Sequence, residues 1–186
     1  RTENAQPALM AVSLAALRAL AAEGVELAAT ARCVAGHSLG EYAALAAAGA
    51  FTIADCARLL RARGRAMQAA VAEGKGAMAA LLGIDLPAAE AIVARAAGAD
   101  VCVVANDNAP GQVVVSGDKP AVERAVALAA EAGALRSVFL PVSAPFHCPL
   151  MRPAAEAMAR ELAQTPPRRP SVPLIANVTA QPVEDP

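Results

Sequence analysis

A chain of 186 residues with 56% hydrophobic and 18% charged residues can build a substantial buried core, which excludes a disordered protein. A net charge of −1, 2% aromatic residues and no tryptophan leave neither a basic field nor stacking side chains, which excludes nucleic acid or an anionic membrane as the main partner. No uninterrupted apolar run reaches the ~18 residues of a membrane span, and the longest stretch, residues 42–54, contains Gly49 and Thr52.

The first helix is predicted over residues 6–23, with Asn4 as a cap, Pro7 in the first turn, and Leu9, Val12, Leu17 and Leu20 at roughly helical spacing. Residues 31–35 form a short apolar run before a glycine, read as a buried strand. Helices follow over 39–48, closed by Gly49, and 53–70, closed near Gly74. The middle of the chain is more orderly. A strand (76–84), a helix (86–98), a strand (101–106), a turn at Asp107–Gly111, a strand (112–117), a helix (119–133) and a strand (135–142) succeed one another. That β-α-β-β-α-β order is the ferredoxin-like arrangement, and it is long enough to fold as a lobe of its own. A loop (143–151), a helix (153–164), a proline-rich connection (165–173) and a strand (173–178) return to the main body. The abundance of alanine suggests helices lying close on a sheet.

Cysteines stand at positions 33, 56, 102 and 148 with no C-x-x-C, so they read as reduced thiols of a cytoplasmic protein rather than as metal or redox ligands. Asn177-Val178-Thr179 fits the glycosylation pattern by chance. The chain opens at Arg1 directly in a helical pattern and stops at Pro186, so both ends read as cut from something longer.

Gly36-His37-Ser38-Leu39-Gly40 is a G-x-S-x-G pentapeptide between a predicted strand and helix, the pattern of a nucleophile elbow. Side chains at the two glycines are expected to clash with neighbouring backbone, and the serine is held at a helix N-terminus where backbone N–H groups can meet an oxyanion. The other reading makes Ser38 a helix cap, because Ser38-x-x-Glu41 fits a capping box. The chain has two histidines. His37 adjoins Ser38, and neighbouring side chains diverge at a sharp elbow, so a structural hydrogen bond suits it better than proton transfer. His147, between Pro145 and Pro149, is the candidate base; otherwise it is a satisfied histidine at a lobe junction. No acid is well placed to orient it, which points to a Ser-His dyad.

On the 53–70 helix, Arg58, Arg61, Arg65 and Gln68 share one face, and Cys56, Leu59, Leu60 and Met67 define the opposite one. Arg63 falls within the apolar face with no acid three or four residues away. It therefore finds a distant carboxylate in the fold, or holds a ligand carboxylate.

Taken together, "GHSLGEYAAL", the arginine of "RARGRAMQ", "NDNAPGQVVVSG" and "VSAPFHCPLM" resemble the malonyl-CoA:acyl carrier protein transacylase family, related to the acyltransferase domains of polyketide synthases. The resemblance runs in order along essentially the whole chain. It implies an α/β-hydrolase-like core (1–74 and 143–186) with an inserted ferredoxin-like subdomain (75–142). It implies ping-pong transfer of a malonyl group from malonyl-CoA, through an ester on Ser38, to the phosphopantetheine thiol of acyl carrier protein, with His147 as base. Leu39 would supply an oxyanion N–H and Arg63 would bind the malonyl carboxylate. Leu39 and Phe146 resemble malonyl-selective members. Met67 joins the substrate-binding set, and so do Asn106, Asn108 and Gln112, although these last three fit hairpin-turn positions equally well. No resident cofactor, no metal and a monomer are expected. The family's N-terminal Gly-Gln-Gly-Ser-Gln segment and its C-terminal glutamine have no counterpart in this sequence. A polyketide synthase domain and a serine hydrolase or thioesterase are the alternatives. The hydrolase gives no reason for Arg63.

Overall fold

A computed structural model describes residues 2–185. The architecture is mixed α/β, and the chain divides into two compact units, residues 1–65 with 157–186, and residues 66–156. The expected lobe at 75–142 lies inside the second unit, which also takes in the end of one helix and residues 143–156.

The first unit opens with α1 (Thr2–Ala22), whose buried residues Gln6, Met10 and Leu14 recur every four positions. Because α1 already includes Thr2 and Glu3, Asn4 lies inside the helix and is not the cap expected for it. By length and mean hydropathy α1 could cross a membrane even though the sequence holds no unbroken apolar run, a test that a core helix also passes. A single helical turn α2 (Leu27–Thr30) precedes β1 (Val34–Ala35), which is shorter than the strand expected at 31–35. Next come α3 (Gly40–Ala47) and α4 (Ile53–Ala70). After α7 (Arg152–Gln164), β6 (Leu174–Ile175) and β7 (Pro182–Val183) complete a three-stranded sheet of order β1-β6-β7. The β1–β6 pair is parallel, Val34 opposite Leu174 and Ala35 opposite Ile175. Two-residue strands carry no alternation for a sequence reader to detect. Met10, Leu14, Ala43, Phe51, Cys56, Leu59, Leu60 and Met158 form the core of this unit. Cys56 is wholly buried, and burial pushes its thiol up to about 11, as expected of an inert packing residue.

The second unit contains β2 (Gly76–Leu82), α5 (Leu86–Ala97), β3 (Cys102–Ala109), β4 (Gln112–Asp118), α6 (Lys119–Glu131) and β5 (Arg136–Phe139). The strands form an antiparallel sheet of order β3-β4-β2-β5. Ala79, Leu81, Val113 and Val115 present one face, and Ala89, Ile92, Ala96, Ala121, Ala125 and Ala129 bring α5 and α6 onto it. The small alanine side chains are what let the helices lie close. Asp85 caps α5 by accepting a hydrogen bond from Ala88 N at 2.9 Å. The turn expected over 107–111 is only Pro110-Gly111. β3 continues through Ala109, with register shifts between Val104 and Asn106 and between Asp107 and Ala109, and Gly111 takes the left-handed position at φ 73°.

Candidate active site

β1 delivers the chain to Gly36, and α3 carries it away from Gly40. Between them Ser38 adopts φ 53°. For a non-glycine residue this left-handed conformation costs on the order of 1–3 kcal/mol and persists only where surrounding structure enforces it. A Cβ added at Gly36 would collide with the backbone carbonyl of Gly40 and the amide of Glu41, so the turn closes only over glycine. The expectation of a clash at Gly40 does not hold, because a Cβ there meets nothing within 4 Å. Gly36→Ala is therefore expected to lower the stability of the full-length protein by roughly 2–4 kcal/mol, since the obstacle is backbone and cannot swing aside. A shift in the denaturation midpoint relative to wild type measures this, and an unchanged midpoint would show that the turn can open.

The capping-box reading fails. The N-cap of α3 is Leu39, with no side-chain cap hydrogen bond, and the Glu41 carboxylate instead accepts from Asn177 N at 3.2 Å. The Ser38 hydroxyl oxygen accepts from Nη2 of Arg63 at 3.1 Å. Leu39 thus stands directly after the strained serine, at the end of a helix where free N–H groups gather.

Arg63 lies on the apolar face of α4, as its position among Leu59, Leu60 and Met67 predicts. Its Nη1 donates to Gln6 Oε1 at 2.6 Å, and its guanidinium lies 5.9 Å from the centre of the Tyr42 ring. Among the described residues no carboxylate forms an ion pair with Arg63, so the distant-carboxylate alternative finds no support. Burial depresses its pKa from the ordinary arginine value, against the opposing influence of Tyr42 and Glu41. This approach depends on Gly64. A Cβ there would come within 2.5 Å of Glu3 Cα, so the missing side chain lets the start of α1 lie against α4 and bring Gln6 to Arg63.

In the second unit, His147 is the other candidate whose backbone is strained, at φ 57°. Among the described residues three non-glycine residues have positive φ, and two of them are Ser38 and His147; the third is Ala180. The segment around His147 is held from both sides. Pro145 is fully buried against the start of β2, where Gly76 leaves room for it, and Pro149 begins a 3-10 turn over Pro149–Met151. Cys148 is buried with its thiol donating to Pro145 O at 3.0 Å, and Ser143 Oγ bonds Gln68 Oε1 at 2.8 Å. Phe146 packs on a cluster of Met67, Ala144, Met151 and Ala154, so two of the expected substrate-binding residues, Met67 and Phe146, share one apolar patch. Asn106, Asn108 and Gln112 all lie on the β3–β4 hairpin, with Asn106 opposite Val114 and Gln112 opposite Ala109. Asn108 and Gln112 are exposed, and Asn108 borders a small hollow with Asp85 and Asp107.

A family profile described as the acyl transferase domain matches residues 1–186. The chain belongs to the acyl transferase family. The malonyl CoA-acyl carrier protein transacylase of Escherichia coli K12 is 47% identical over 178 residues, which is 96% of this chain and 57% of that protein. The Bacillus subtilis protein of the same name is 44% identical over 180 residues, 96% of this chain and 56% of that one. Among solved structures, the acyl-carrier-protein-S-malonyltransferase of Bartonella henselae superposes with a TM-score of 0.95 at 55% identity, covering 99% of this chain and 59% of that one. A malonyl-transacylase solved with a type II polyketide synthase acyl-carrier protein gives a TM-score of 0.95 at 39% identity, covering 100% and 59%. The chain thus spans 57% and 56% of the length of the two relatives named first.

Two polar residues of this acyl transferase chain escaped sequence reasoning. Gln6 is 3% exposed on the stripe that also carries Met10 and Leu14, so a polar residue on an apolar stripe was the available signal, the same one that singled out Arg63. Asn177 lies just beyond β6, and its side chain accepts from Ser38 N at 2.8 Å and donates to Gly36 O at 2.6 Å. Its resemblance to a glycosylation pattern concealed this structural use.

Proposed function

We propose that the protein transfers a malonyl group from malonyl-CoA to the phosphopantetheine thiol of acyl carrier protein, through an ester on Ser38. The observation that carries this reading is the guanidinium of Arg63, set 3.1 Å from the Ser38 hydroxyl and held by a neutral amide oxygen instead of a carboxylate. A cation that pairs with no carboxylate among the described residues, set beside a nucleophile, favours an acyl group that ends in a carboxylate. The names of the relatives support the same substrate and the same carrier.

In this reading Ser38 Oγ attacks the thioester carbonyl while its proton passes to His147. The oxyanion so formed is met by Leu39 N–H. The C–S bond then breaks and coenzyme A leaves with the proton from His147. In the second half the carrier thiol gives its proton to His147 and attacks the ester. The C–O bond breaks, and Ser38 recovers its proton. A thioester is already activated, so the transfer calls for no resident cofactor. Phe146 and Met67 would bound the acyl pocket, with Asn106, Asn108 and Gln112 as outer polar contacts.

We propose with it a finer division of the fold. A ferredoxin-like subdomain over 75–142 is supported by its element order and by the antiparallel order β3-β4-β2-β5. An α/β-hydrolase-like core over 1–74 and 143–186 is supported by the parallel β1–β6 pair and the strand–elbow–helix around Ser38. The test is intact-mass measurement of the full-length protein mixed with malonyl-CoA. One malonyl adduct is expected, and it should disappear when acyl carrier protein bearing phosphopantetheine is added, with the malonyl group recovered on the carrier. Release of free malonate without loading of the carrier would instead identify a hydrolase.

A further inference from the structure

We infer that Asn177 is a positioning residue that latches Ser38 into its strained conformation. The inference rests on the reading of Ser38 as nucleophile. The parallel pairing of Ala35 with Ile175 makes β1 and β6 end side by side, so the elbow and residue 177 leave the sheet as neighbours. Although they are 139 positions apart in sequence, the amide of Asn177 accepts from Ser38 N at 2.8 Å, and it donates to Gly36 O at 2.6 Å. These two groups belong to the peptide planes on either side of His37. Fixing both planes fixes the direction from which the chain enters Ser38, where φ is 53°. The backbone N–H of Asn177 adds a third tie, to the Glu41 carboxylate in the first turn of α3. One residue thus binds the elbow before, at and after the serine.

The chemistry demands a primary amide, because one planar group must accept on one side and donate on the other. Aspartate would keep the acceptor for Ser38 N but turn a second oxygen toward the Gly36 carbonyl. Alanine would remove both bonds. The latch also occupies the Ser38 N–H while leaving the following Leu39 N–H, which donates to no acceptor among the described residues, for the oxyanion.

The test uses the full-length protein with Asn177→Asp and Asn177→Ala, assayed well below the melting temperature of each. Single-turnover formation of the malonyl adduct and kcat should both fall roughly ten- to a hundredfold, since displacing a nucleophile by about an ångström has that effect. The KM for malonyl-CoA should stay within a few-fold of wild type, because the hydrogen bonds of Asn177 go to the elbow and to Glu41 and the guanidinium of Arg63 bonds Gln6 and Ser38. Val178→Ala, at a neighbouring side chain 92% exposed, should leave both rates unchanged. Should Asn177→Ala fail to fold, the isosteric Asn177→Asp carries the test. An adduct that forms at the wild-type rate in either folded variant would overturn the latch, as would a change confined to melting temperature or KM. If the wild-type protein itself forms no adduct, the reading of Ser38 falls and the latch falls with it.

Discussion

Full-length protein carrying Ser38→Ala is expected to form no malonyl adduct and to lose roughly 10⁴-fold or more of its transfer rate, as nucleophile removal does in serine acyl enzymes. In the proposed transfer both half-reactions run through the same oxygen, so no remaining group should take over the covalent step. Binding should survive. The bond of Arg63 to Gln6 at 2.6 Å does not involve the hydroxyl, and alanine at position 38 should keep the left-handed backbone that the surrounding structure enforces. Malonyl-CoA should therefore bind the variant within a few-fold of its wild-type affinity, as titration calorimetry can measure. An adduct that persists on another residue of the Ser38→Ala protein would remove Ser38 from the mechanism. Loss of binding together with the adduct would assign Ser38 to substrate recognition.

The parts of this site that were readable in the sequence are those whose cause is local. The helix over 53–70 appears at Ile53–Ala70, and the apolar stripe that marked Arg63 as misplaced is the face buried by Cys56, Leu59 and Leu60. The elements from β2 to β5 were legible because glycine and proline punctuate them and because alanine and valine repeat at helical and strand spacing. What stayed hidden depends on long-range pairing. The sheet of the first unit joins residues 34–35 to 174–175, too short for any periodicity to register. The amide of Asn177 acquires meaning only once that register is known. The hairpin turn was misplaced for a related reason. Asp107 and Asn108 favour turns by composition, but a bulged strand accommodates them, and the reversal falls to Pro110-Gly111.

Replacing Arg63 with alanine should reduce kcat/KM for malonyl-CoA by more than tenfold while leaving the loading of acetyl-CoA unchanged or raised. A charge-assisted contact to a carboxylate is worth about 1.5–3 kcal/mol, and each 1.4 kcal/mol is a factor of ten. Arg63 meets the conditions for the upper part of that range. It is half-buried, and Gln6 offers it an oxygen without a charge. An acyl carboxylate would supply a countercharge, which an acetyl group cannot do, so the loss should fall on one substrate and not on the other. Arg63→Lys should rescue only part of it. A lysine ammonium is a single point charge and cannot reach Gln6 Oε1 and Ser38 Oγ with two separate nitrogens, as the guanidinium does at 2.6 and 3.1 Å. The decisive quantity is the ratio of malonyl to acetyl loading, measured by intact mass from competing thioesters. An equal fall for both acyl groups would mean that Arg63 supports the elbow and does not select the substrate. Gln6, which accepts a hydrogen bond from Arg63, would then be the next residue to replace.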